Sequence, residues 1–334
     1  MKTRTMILAT TMLTLAAGAC DDLPAGDVTD PEYWGDAFLT KYEDELVVGE
    51  LEPGPTPLEK PRVVLLITGV TIPAEWFEPI EARLERDGFI PVVYEPPALL
   101  SGDLFENSEW LSDVVDEVRQ NTGHDTIDIL AECTGGLIAR HYIQALGGNE
   151  HIGRMVTFIS PQHGVAKAPI AAKVAGWPAL YDLSPGSDFL ETVNSAPLPD
   201  DVAFTSIYTC TDEYIQPYET SIIPGAKNIE LCDGFVGHFE FFYNPDIYLI
   251  MHDALTAPSP KDALEGPVET EEPGDSVATT PGGSEGGALD DVDGKMPVPK
   301  AGCSAGGGSD GGSGAWLVLG ALGLALHRRR RVGA

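Results

Sequence analysis

Between residues 62 and 255, short apolar runs alternate with longer stretches whose apolar positions recur every three or four residues. The runs fall at 62–67, 89–94, 126–131, 154–159, 202–208 and 226–231, and each predicts a β-strand. Several are apolar without alternation: Val63-Val64-Leu65-Leu66-Ile67 is uninterrupted, and Leu130 sits between Ile127, Ile129 and Ala131. Strands of that kind are covered on both faces. The intervening stretches read as helices. Trp76, Ile80 and Leu84 mark one face, and Leu111, Val114, Val115 and Val118 another within 107–120. Leu137, Ile138, Tyr142, Ile143 and Leu146 mark a third, closed by Gly147-Gly148, and residues 245–255 form the last. Alternation of this order predicts a mostly parallel sheet with helices on both faces.

Residues 165–200 break the alternation with a stretch of small apolar residues from Ala166 to Trp177. The stretch reads equally as a lid or pocket wall and as a packed surface excursion. On either side of the alternating region the pattern disappears. Residues 20–59 are acidic and contain Pro and Gly, which suggests a tether and a short strap; Tyr33, Trp34, Phe38 and Leu39 are candidates to pack on the domain. Residues 257–314 are rich in Pro, Gly, Ser and acids and bury too little apolar surface to fold, so they predict a disordered linker. The foldable domain is therefore 60–256, a usual single-domain size.

The ends carry targeting patterns. Lys2 and Arg4 precede an apolar run and then Ala17-Gly18-Ala19-Cys20, which predicts a signal peptide over 1–19. Ordinary signal cleavage and a loose lipobox with Cys20 as the lipidated residue both fit. Residues 315–334 combine a short apolar segment with Arg328 to Arg331; the segment is shorter than the roughly 20 residues a spanning helix needs. With Cys303 before it, this tail resembles the C-terminal sorting signal of myxobacterial surface proteins; a short membrane anchor is the alternative. The expectation is an exported protein associated with a membrane or cell surface through its termini.

The net charge of the 334-residue chain is −32, with 52 acids against 20 bases. Six of those bases lie in the terminal segments, so the body is more acidic still. Phosphate backbones would be repelled, and nucleic acid is not an expected partner. Of five cysteines, Cys20 and Cys303 lie in the terminal segments and Cys133 on the turn after the third strand. Cys210 and Cys232 remain, 22 residues apart in the domain, and are the disulfide candidates in an oxidising compartment. They lack further ligands at zinc spacing, and no metal or cofactor is expected.

The candidate chemistry centres on Ala131-Glu132-Cys133-Thr134-Gly135-Gly136. A strand runs into a sharp turn and then a helix, and the two glycines allow close approach. A residue on such a turn is held out from the sheet beside helix N–H groups. The bland alternative for Cys133 is a small buried thiol. His238, after the last strand, stands where a general base belongs, and Asp212, after the preceding strand, where its carboxylate partner belongs. Glu213 is the second choice for that acid. His163 lies near the end of the fourth strand but in the wrong order to act as base. His124, His141, His151, His252 and His327 are expected on the surface or in packing.

These collinear pieces resemble the bacterial class 2 lipases of the α/β-hydrolase superfamily. The matching segments are 64–70, the turn around Cys133, 159–164, 183–190, 205–217 and 236–238. The resemblance implies an α/β-hydrolase fold and an acyl hydrolase with Cys133 as nucleophile, His238 as base and Asp212 as acid. It further implies the backbone N–H groups of Val70 and Thr134 as oxyanion donors. An acyl ester, lipid or thioester is the implied substrate. The departures are Thr68-Gly69 where the family commonly has His-Gly, Ala131 for the first Gly of G-x-S-x-G, and Cys133 for Ser. A thiolate expels an alkoxide less readily than a thiolate, so a thioesterase or acyltransferase, and a catalytically silent surface protein, are the alternative readings.

Overall fold

A computed structural model of the chain describes residues 26–263. The signal segment, Cys20, Cys303, His327, most of the linker and the 315–334 tail lie outside the described residues. Six strands are present: β1 (Arg62–Ile67), β2 (Phe89–Tyr94), β3 (Ile127–Glu132), β4 (Ile152–Phe158), β5 (Ala203–Thr209) and β6 (Lys227–Leu231). The helices in chain order are α1 (Pro31–Leu46), α2 (Glu78–Arg86), α3 (Leu104–Thr122), α4 (Cys133–Ala145) and α5 (Ala168–Ala175). They continue with α6 (Pro178–Asp182), α7 (Asp188–Ser195), α8 (Glu240–Tyr243) and α9 (Pro245–Thr256).

The strands form one sheet in the order β2-β1-β3-β4-β5-β6, and every pairing is parallel. The expected parallel sheet is therefore present, and parallel throughout. The chain leaves β1 toward β2 on one side and returns to build β3 to β6 on the other. That reversal opens a crevice at the carboxyl ends of β1 and β3, where open α/β sheets place their sites.

Successive residues of β1 enter opposite layers, as period-2 geometry requires. Val63, Leu65 and Ile67 pack with Leu111, Val115 and Val118 of α3 and with Leu137 and Ile138 of α4. Val64 and Leu66 pack with Ile80 and Leu84 of α2 and with Ile247, Tyr248 and Met251 of α9. Each such fully buried aliphatic side chain contributes about 1.5–3 kcal/mol relative to exposure. Asp103 caps α3 by accepting from the Glu106 N–H, and Gly123 ends it at φ 70°. The helix thus starts earlier and ends later than the predicted 107–120.

Two segments depart from expectation. Within the supposed tether, 31–46 is a helix: Asp30 accepts the Glu32 N–H and Pro31 occupies the first position. Its aromatic face packs down, with Phe38 5.2 Å and Tyr42 5.0 Å from the Phe239 ring. The start of the supposed linker is also fixed: Ser259 and Lys261 are buried, and Lys261 pairs with Asp201 at 2.8 Å. Its acidic, Pro-rich composition hid the fact that Asp262 pairs with Arg154. Residues 165–200 form α5 to α7. Among the described residues no helix is long and apolar enough to cross a membrane.

Candidate active site

Strand β3 ends at Glu132, and α4 begins at Cys133 without an intervening residue. The turn is made by Cys133 itself, at φ 45°. A left-handed conformation at a non-glycine residue is costly and survives only where its surroundings hold it. Those surroundings are visible. A Cβ on Gly135 would lie 2.7 Å from the Thr68 carbonyl, and one on Gly136 2.6 Å from Ser160 Oγ. The glycines therefore let α4 sit against β1 and the loop after β4. Ser160 Oγ donates to the Cys133 carbonyl at 2.5 Å and accepts from Gln162 Nε2 at 2.7 Å.

Asp212 and His238 arrive from the loops after β5 and β6. Asp212 Oδ1 accepts the backbone N–H groups of Tyr214 (2.8 Å) and Ile215 (2.7 Å), which turns Oδ2 toward His238. His238 Nδ1 lies 2.8 Å from that oxygen. Glu213 instead accepts the backbone N–H of His238 at 3.0 Å, so it supports the loop and leaves the ring to Asp212. The disulfide Cys210–Cys232, Cα to Cα 5.2 Å, ties the ends of β5 and β6 that carry these loops.

The ring of His238 faces Cys133 and Glu132. Donor atoms of Glu132, Cys133 and His238 all lie within 4.8 Å of one another. Glu132 is fully buried; its Oε2 accepts the Gly69 N–H at 2.6 Å and its Oε1 lies 3.5 Å from His238 Nε2. A Cβ on residue 69 would collide with that carboxylate, so the glycine leaves room for Glu132 rather than only for substrate. The direction of Glu132 could not be read from sequence, because residues beside a turn point either way.

Charge follows geometry. Burial disfavours a charged His238, but Asp212, joined by Cys133 and Glu132, outweighs it and raises the imidazole well above its ordinary value. Burial, and then the Glu132 charge, push the Cys133 thiol up. Burial also raises Glu132, against opposing contacts from His238 and Gly69. The resting site accordingly favours a thiol beside an imidazolium held between two carboxylates.

Cys133 and His238 open on a cavity of about 130 Å³ lined mainly by apolar groups. Val70, Thr71 and Ile72 come from the loop after β1, and Trp177 and Leu180 from the 165–200 excursion. Trp34 and Phe38 of α1 line it as well. Sequence reasoning placed those two only on the domain surface. The i, i+4, i+8 spacing of Trp34, Phe38 and Tyr42 behind Asp30-Pro31 was the available signal of a helix. Val70 borders Cys133 in the cavity, and Thr134 is in the first turn of α4, whose N–H groups have no intrahelical partners. The remaining histidines of the described residues lie elsewhere: exposed His163 contacts the Ile222 carbonyl, and His141 packs between Phe105 and Phe189.

The crevice position and the sharp strand-to-helix turn are those of the α/β-hydrolase fold. Comparison with known proteins agrees. The palmitoyl protein thioesterase family pattern matches residues 101–217, which include Cys133 and Asp212. Lipase B of Pseudozyma antarctica is 24% identical over 189 residues, covering 53% of this chain and 54% of that protein. The chain thus spans about half the length of that curated relative. The crystal structure of Aspergillus fumigatus lipase B superposes with a TM-score of 0.51 at 19% identity, over 61% of this chain and 56% of that one. The chain has the α/β-hydrolase fold, and it is similar to lipase B over about half its length and to the palmitoyl protein thioesterase family over residues 101–217.

Proposed function

We propose that the protein is an acyl hydrolase that uses Cys133, His238 and Asp212 on esters or thioesters of apolar acids. One observation carries this reading: a single imidazole joins a buried carboxylate at 2.8 Å to a thiol inside an apolar cavity. Asp212 fixes the ring by accepting a hydrogen bond from Nδ1–H, so that in the neutral ring Nε2 is free to accept the thiol proton. The sulfur then attacks the acyl carbonyl. Backbone N–H groups of Val70 and Thr134 hold the oxyanion, and His238 returns the proton to the leaving group. Water, deprotonated by the same ring, releases the acid. Trp177 and Leu180 serve as acyl-pocket wall, the first of the two readings of the 165–200 segment.

The relation to palmitoyl protein thioesterases favours a narrower version, in which thioesters are the preferred substrates. The leaving-group argument points the same way, since the enzyme thiolate competes poorly with a departing alkoxide. Matched ester and thioester panels test both versions. We expect turnover of both with thioesters preferred, and a loss of roughly 10^4-fold or more in Cys133→Ala. Equal turnover by Cys133→Ala would remove the thiol from the mechanism. Action outside the cytosol is part of the proposal and is supported by the disulfide between Cys210 and Cys232; attachment to a cell surface is proposed from the terminal segments alone.

A further inference from the structure

The acyl-transfer mechanism uses the thiol of the turn and gives no role to the carboxylate beside it. Glu132 is fully buried, and its Oε1 accepts no hydrogen bond. A buried carboxylate oxygen answered only by a long ion pair is costly, and this one is aimed at an imidazole nitrogen 3.5 Å away, next to a sulfur. We infer that Glu132, Cys133 and His238 together form a binding site for a transition-metal dication of the zinc class.

Three observations fit that chemistry. First, one oxygen, one sulfur and one nitrogen donor lie within 4.8 Å of one another. Bonds of about 2.0–2.3 Å to a tetrahedral ion bring ligand atoms roughly 3–4 Å apart, a small contraction from this arrangement. Mixed sulfur and imidazole donors select zinc or cobalt over magnesium and calcium. Second, two of the three ligands are already oriented by a partner on their far side. Asp212 takes the Nδ1 side of His238 at 2.8 Å, the carboxylate–histidine arrangement of metal sites, and Gly69 holds Glu132 Oε2 at 2.6 Å, leaving Oε1 free. Third, Cys133 is only half-buried and borders the cavity, so an ion has an entry path and an open coordination position.

The site also accounts for two residue choices at once. A hydroxyl in place of Cys133 would keep a nucleophile on the turn, and an amide in place of Glu132 would keep an acceptor for the Gly69 N–H, yet either change would weaken a metal ligand. An ion held here occupies both the sulfur and Nε2, which acyl transfer requires, so it switches the hydrolase off reversibly. Sequence reasoning found no metal site because these ligands are a neighbouring pair and a histidine far along the chain, without a spacing motif.

The test is titration of the chelator-treated full chain with Co²⁺ and then Zn²⁺. The expected result is one equivalent of Co²⁺ with a sulfur-to-cobalt charge-transfer band, displaced by Zn²⁺. Zn²⁺ should also slow alkylation of Cys133 by iodoacetamide at least tenfold. Cys133→Ser should lose the band, and Glu132→Gln and Asp212→Asn should weaken binding by about 10–100-fold while circular dichroism shows the wild-type fold. No band in folded wild type, a band that survives Cys133→Ser, or undiminished binding by folded Glu132→Gln would each overturn the inference. Should Glu132→Gln fail to fold, the wild-type band and its alkylation protection decide the matter. Acylation of the chelated protein is read separately, so failure of the metal site and failure of the hydrolase reading are distinguishable.

Discussion

Strand β3 carries a buried acid at each end of its inward-facing stretch, and the two are treated in opposite ways. Asp128, at the amino end, lies 3.4 Å from Arg62 and 3.3 Å from Arg154. Arg154 in turn reaches Asp262 and the Ala257 carbonyl, so the cluster ties the sheet to the segment after α9. Glu132, at the carboxyl end, meets no guanidinium or ammonium group among the described contacts; it faces a backbone N–H, an imidazole and a thiol. A buried charge answered by fixed cations holds structure together. One answered only by titratable or nucleophilic groups belongs to chemistry, and its cost is carried by the rest of the fold.

The largest effect should come from breaking the structural cluster. Arg154→Met leaves Asp128 buried beside a single remaining guanidinium and should destabilise the fold by about 3–5 kcal/mol, read by urea unfolding. Little or no loss would mean that Asp128 is not held as described. At the other end, activity rather than stability should respond. His238 is held protonated well above its ordinary 6.5, and the protonated ring cannot accept the thiol proton. Activity on thioesters should therefore rise roughly tenfold per pH unit above 6.5, until the ring has lost its proton. A flat profile from neutral to alkaline pH would contradict this.

The smallest effect should be on stability at Glu132. Its folded pKa is raised from the ordinary 4.5, so the folded protein binds that proton more tightly than the unfolded chain. The cost of burying it is therefore slight at acid pH and grows as pH climbs through the raised value. Glu132→Gln should match wild type near pH 4 and be the more stable of the two by neutral pH, measured by unfolding at both. A large loss of stability would show that Glu132 is structural after all and erase the contrast with Asp128.

The strands, their parallel sheet and the turn were legible because parallel, doubly covered strands write uninterrupted apolar runs, and because Gly135-Gly136 marks a close approach. That Cys133, His238 and Asp212 come together was legible from chain order, since each follows the carboxyl end of a different parallel strand. Three things were not. Helix α1 was hidden by its acidic exposed face, although Trp34, Phe38 and Tyr42 sit at helical spacing; the first two line the cavity and Tyr42 packs on Trp76. Residues 257–263 were hidden because composition reports what a segment can bury, and not that Lys261 and Asp262 find specific partners. Glu132 was visible as a residue but not as a neighbour of His238, because its direction depends on the turn conformation at Cys133.

The most direct measurement is the intact mass of chelator-treated protein after brief exposure to a long-chain acyl thioester. The account predicts a single acyl adduct that maps to Cys133, is absent in Cys133→Ala and accumulates in Asp212→Asn or His238→Gln more slowly than in wild type. Folded, metal-free wild-type protein that never acquires that adduct while the thioester is consumed, or that leaves the thioester intact, would contradict it.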